Sequence, residues 1–96
     1  MTTESNALYK RAVNQISVNL NGDVAILNLS TKTYFGLTDV GVLLWEKLEN
    51  PSDLSTLCAA VSVAFEVGEA ECAPDVTAFL DALDKAQLLA REVPGA

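Results

Sequence analysis

The sequence predicts an α+β domain in which a three-stranded antiparallel sheet comes first and three helices follow, in the order β-β-β-α-α-α. Between residues 16 and 37 apolar side chains follow strand-like patterns interrupted by turn signals. From residue 40 onward they recur at helical offsets of three and four. Length sets the third bound: 96 residues, 50% of them apolar, are enough for one core and too few for two.

Residues 1–12 are polar, mixed in charge and without sustained periodicity, so they are expected to form a mobile tail, ordered at most near Leu8 and Tyr9. A single domain over residues 13–90 and a short tail over 91–96 complete the expected organisation. Ile16, Val18 and Leu20 alternate with Ser17 and Asn19, as in a half-buried strand, and Asn21-Gly22 signals a type I′ hairpin turn. The second strand is apolar on both faces from Val24 to Leu27, which predicts a central position with something packed on each side. Ser30-Thr31-Lys32 turns the chain into a third strand, Thr33 to Leu37, with one edge paired and the other open or covered.

Thr38 is a good N-cap, and Asp39 puts a carboxylate in the first turn, where the helix dipole favours it. Val40, Leu43, Leu44 and Leu48, widened by Trp45, make the stripe of a first helix that ends near Asn50-Pro51. Ser52 or Asp53 caps a second helix carrying Leu54, Leu57, Cys58, Val61 and Phe65. Gly68 interrupts the pattern before a third helix, with Pro74 expected in its first turn. Val76, Phe79, Leu80 and Leu83 form its stripe, continued by Leu88 and Leu89.

Chemistry is constrained mainly by what is missing. Thirteen Asp and Glu against six Lys and Arg give a net charge of −7, which repels phosphate backbones and anionic membranes, so neither nucleic acid nor membrane is an expected partner. There is no histidine, which removes the commonest general base and the usual complement of a two-cysteine zinc site. Cys58 and Cys72 are read as small buried core residues, a disulfide requiring an oxidising compartment for which the sequence has no signal. No apolar run approaches the roughly 18 residues of a membrane span and no cleavage pattern opens the chain, so a cytoplasmic protein is expected. Gly22, Gly36, Gly41 and Gly68 are isolated and build no phosphate loop. Asp75, Asp81 and Asp84 read as the solvated face of a helix. The expectation is a non-enzymatic protein without metal or cofactor, whose function lies in the third strand's edge and the groove between it and a helix.

The ordered set Tyr34-Phe35-Gly36-Leu37, then Gly41 with Leu44-Trp45 and Leu48, then Asp75-Val76 with Phe79-Leu80 and Leu83, resembles the PqqD-like proteins. These are precursor-peptide recognition elements of ribosomally made, post-translationally modified peptides. The resemblance runs from about Ile16 to Leu89; Thr38 stands where the family often has asparagine, and Ala86-Gln87 where it often has Ala-Gly. It implies a winged-helix-like domain without catalytic residues. Such a domain binds the leader of a precursor peptide as an added strand and presents it to a leader peptidase and possibly a cyclase. A chain with little besides this domain is most similar to the stand-alone form of lasso-peptide pathways. The residues so implicated are Lys32, Thr33, Tyr34, Phe35 and Gly36 on the strand and Asp75, Val76, Phe79, Leu80 and Leu83 on the third helix.

Strand addition is physically reasonable but insufficient alone. Four or five backbone bonds at a net ~1 kcal/mol each give about 4 to 5 kcal/mol, against about 8 for micromolar affinity. Tyr34 and Phe35 face opposite ways, so at most one of them serves the core. Two other readings compete: a winged-helix DNA-binding regulator, disfavoured by a third helix with three aspartates against Lys85 alone, and an accessory subunit that stabilises a partner enzyme without touching peptide.

Overall fold

The computed structural model describes residues 8–37 and 39–92. Five strands and three helices follow one another as β1 (Leu8–Arg11), β2 (Gln15–Leu20), β3 (Asp23–Asn28), β4 (Thr33–Leu37), α1 (Val40–Lys47), α2 (Leu54–Phe65), α3 (Glu69–Lys85) and β5 (Leu89–Glu92). The expected antiparallel three-stranded sheet is present with the order β2-β3-β4. Its first turn has φ of 55° at Asn21 and 97° at Gly22, the double positive that a type I′ turn requires.

The element order corrects the β-β-β-α-α-α expectation. β1 and β5 pair antiparallel as a second, two-stranded sheet, from Leu8 opposite Glu92 to Arg11 opposite Leu89, with an ion pair of 2.7 Å between Lys10 and Glu92. These strands fall on segments read as polar chain ends or as the tail of a helical stripe. LYKR and LARE are each four residues long and mixed in charge, and their pairing spans nearly the whole chain, so neither leaves a local period to read.

Helix ends account for the remaining differences. α3 begins at Glu69 and contains Pro74, which the sequence reading put in the first turn. Pro74 is thus the sixth residue of α3, in its second turn, where its missing N–H costs the i→i−4 bond to Ala70 O. At the other end Gln87 takes a left-handed φ of 61°, while Leu88 N donates to Leu83 O and Gln87 N to Asp84 O. That bond pair is a Schellman motif. It ends the helix before Leu88 and Leu89, which are buried beyond it rather than continuing its stripe. Asp53 caps α2 by accepting from Thr56 N at 2.8 Å, and its hydrogen bonds from Thr56 hold its carboxyl below the ordinary value. The N-cap role read at Thr38 lies outside the described residues. Asp39 is itself the residue preceding α1, at φ 50°, and its side chain makes no capping bond.

Among the described residues one face of the sheet is packed and the other is largely open. Strand registers place Ser17, Ile26 and Phe35 in one row and Asn19, Val24 and Leu37 in the next, on the face toward the helices. Ile26, Val24 and Leu37 are buried there with Leu44, Trp45 and Leu48 of the α1 region and the apolar stripes of α2 and α3. The opposite face carries Ile16, Val18, Leu20, Ala25, Leu27 and Tyr34. Ile16, Val18 and Leu20 are 51%, 50% and 55% exposed, so the central strand is not covered on both sides as its composition suggested.

Two polar anchors hold the layers in place. Arg11 donates from Nε and Nη2 to Trp45 O at 2.9 and 2.7 Å and lies over the Trp45 ring, tying β1 to the C-terminal end of α1. Buried Asn28 donates from Nδ2 to Ala86 O at 2.8 Å and Gln87 O at 3.3 Å, and its Oδ1 accepts from Ser30 N and Thr31 N.

Replacing Asn28 with alanine strands these groups, and urea unfolding should show a loss of about 2–4 kcal/mol; a loss below ~1 would contradict the anchor role. Gln87→Gly relieves the left-handed strain at the α3 terminus and should raise stability by about 0.5–1 kcal/mol in the same measurement.

Candidate functional site

Among the described residues the order β2-β3-β4 leaves one edge of β4 unpaired. Which backbone groups it offers follows from the hairpin. A two-residue turn makes Leu20 and Asp23 the closing hydrogen-bonded pair, so odd-numbered residues of β3 bond toward β2, and Leu29 N indeed donates to Asn14 O. Even-numbered residues of β3 then bond to Thr33, Phe35 and Leu37, which leaves the N–H and C=O groups of Tyr34 and Gly36 pointing outward.

Side chains on the strand divide by pleat. Phe35 packs against the core, whereas Tyr34 is 75% exposed on the open face of the sheet. A Cβ at Gly36 would meet nothing within 4 Å. The Thr33 hydroxyl is 2.7 Å from that of Thr31, and Lys32 sits in the turn at φ 63° with its ammonium donating to Leu29 O. Lys32 therefore does not prolong the edge.

Beside the strand's C-terminal end lies a cavity of about 430 Å³, lined by Val40 and Gly41 of α1, Val61 and Phe65 of α2, Val67, and Glu71, Cys72, Asp75, Val76 and Phe79 of α3. Gly41 is where the pieces meet: a Cβ there would stand 3.3 Å from both Leu37 Cδ2 and Phe79 Cε1. A Cβ there would make Leu37 and Phe79 give by a few tenths of an ångström, so α1 lies close on both β4 and α3, and Leu37 at the end of β4 meets the groove lining at Gly41.

Of the helix residues singled out in the sequence, Asp75, Val76 and Phe79 line the groove, with Val76 fully buried as its floor. Leu80 and Leu83 point into the core. Asp84 stands 3.6 Å from Arg91 at the far end of α3. The α1 and α2 walls, with Val67, Glu71 and Cys72, escaped the sequence reading. Phe65, at the end of its helical stripe and 42% exposed, was the one local signal for them.

Both cysteines are buried and free; Cys72 Sγ donates to Cys58 O at 3.7 Å, and burial, with Cys72 adding to it, pushes the Cys58 thiol up. Among the described residues no three His, Cys, Asp or Glu side chains cluster in a way that could hold a metal ion, and no helix is long and apolar enough to cross a membrane.

An open strand edge with two outward amides, flanked by an apolar groove, is the geometry of a peptide-binding module. The family described as coenzyme PQQ synthesis protein D (PqqD) matches residues 23–89, and the chain belongs to it. It is a PqqD-like recognition element. Among solved structures it is similar to TbiB1 in complex with the TbiA(beta) leader peptide, at 30% identity and a TM-score of 0.78, covering 91% of this chain and 96% of that one. A lasso peptide synthetase B1 complexed with its leader peptide shares the fold at 13% identity and a TM-score of 0.75, covering 85% and 96% of the two chains. No curated protein matches the chain.

Gly41→Ala is expected to fold with a stability within about 1 kcal/mol of the parent, since helix propensity offsets the tighter contact. It should shift the Phe79 ring resonances and the Leu37 methyls in NMR spectra. Unchanged spectra there would show that the three residues do not meet.

Proposed function

We propose that the protein binds the leader region of a ribosomally made precursor peptide, without catalysing a reaction itself, and delivers it to a leader peptidase and other modifying enzymes of a lasso-peptide type pathway. One observation carries the reading: among the described residues the outward backbone groups of β4, at Tyr34 and Gly36, lie on a strand whose last residue, Leu37, packs beside Gly41 and Phe79 of an apolar groove. The leader adds as a strand along Thr33 to Gly36, with Lys32 in the turn before it, and docks its apolar side chains against α3 at Asp75, Val76 and Phe79. Leu80 and Leu83 support that wall from behind. The leader complexes of the two similar structures favour the same partner class.

Magnitudes show why both parts are needed. Two N–H and two C=O groups at a net ~1 kcal/mol each contribute about 4 kcal/mol, half of the roughly 8 that micromolar binding requires. At about 25 cal/mol per Å², burying some 160 Å² of apolar leader surface would supply the other half, before ordering costs that raise the demand. Delivery needs a second surface that stays free while the leader is bound. The face with Ile16, Val18, Leu20 and Tyr34 is exposed on the same sheet and lies apart from the edge of β4.

Titration of a labelled leader from a precursor gene found adjoining this protein's own should give a dissociation constant in the micromolar range or below; no binding at ~100 μM overturns the reading. Phe79→Asp should weaken binding at least about tenfold while leaving the circular dichroism spectrum unchanged, because the ring is only partly buried.

A further inference from the structure

Charge distribution around the groove points to what it selects. Glu71 and Asp75 both line it, are exposed, and stand one turn apart on the same face of α3. All six cationic side chains of the protein lie elsewhere. Lys10 pairs with Glu92, Arg91 with Asp84, and Arg11 is held by Trp45 O. Lys32 is bonded to Leu29 O, and Lys47 and Lys85 stand in the last turns of α1 and α3. No described cation therefore neutralises the two carboxylates, and like charges at this spacing repel. The helix dipole accounts for Glu71, which is in the first turn of α3, but its influence fades before Asp75.

An exposed carboxylate pair is by itself ordinary helix surface. Here the pair rims an apolar cavity with two phenylalanine rings, Phe65 and Phe79, in its walls, and Gly41 of its lining lies against Leu37, the last residue of β4. Such a lining suits a side chain with an apolar stem and a cationic head. Resting on the leader-binding reading, we infer that the groove selects peptides carrying a lysine or arginine next to their apolar anchor, the cation held between Glu71 and Asp75. The anchor fills the floor at Val61 and Val76, and the basic neighbour lies across the rings toward the acidic rim.

Selection of random peptides displayed on phage against the immobilised protein tests this without knowledge of the natural leader. Enriched peptides should combine an apolar residue with an adjacent lysine or arginine, and the basic preference should vanish on the Glu71→Gln, Asp75→Asn double variant while the apolar one stays. A synthetic copy of an enriched peptide should bind that variant roughly three- to tenfold more weakly. Glu46→Gln with Glu49→Gln, an equal charge change on exposed positions elsewhere, should leave both unchanged. Apolar enrichment without a basic preference overturns the inference and leaves the leader-binding reading standing, as does a basic preference that survives in the double variant. Failure to enrich any peptide overturns both.

Discussion

The arrangement of the site depends on one buried amide. Asn28 ends β3 at the point where the chain turns toward β4, and its side chain binds the turn with one atom and the end of α3 with the other. The two carbonyls it reaches, Ala86 O and Gln87 O, are presented by the left-handed residue that stops α3. Sheet and α3 are thereby fixed to each other by an amide whose oxygen and nitrogen both have partners. Aspartate would face those carbonyls with a charge, and leucine would take the side-chain partner from four backbone groups, at Ser30, Thr31, Ala86 and Gln87.

A second constraint closes the opposite side. β1 is bonded to β5 along its length and to Ser52 through Tyr9, and Arg11 holds the last turn of α1. These contacts occupy both ends of the described chain and leave the site at the opposite, unpaired edge. Such an edge ordinarily invites pairing with copies of itself. A five-residue strand with two outward residues, on a chain of net charge −7, is a weak template for that.

Much of this was legible in the sequence because much of it is local. The Asn21-Gly22 turn, the bounds of β4 and the Asp53 cap are each set by residues a few positions apart, and they were readable as such. β1 and β5 were not, since each is defined only by the other. Alternation showed that Tyr34 and Phe35 face opposite ways, but which of them is buried depends on which face of the sheet the helices cover. The same limit applied on α3, where one apolar stripe holds both the groove wall at Phe79 and the core at Leu83. What separates them is the position of Gly41 across the gap, a packing fact with no counterpart in the stripe itself.

The division of the strand's side chains decides where selectivity resides. Phe35 and Leu37 are turned into the core, Tyr34 stands on the outer face, and Gly36 has no side chain, so an added peptide strand meets mainly backbone. Backbone pairing accepts nearly any extended sequence and cannot choose among them. On the proposed leader-binding reading, choice comes from the groove, which combines an apolar floor with an acidic rim that no described cation neutralises. A substitution at the edge is then expected to change how tightly all peptides bind, and one in the groove to change which peptides bind. The two effects are separable because the edge groups and the groove wall come from different elements, held in register by Asn28.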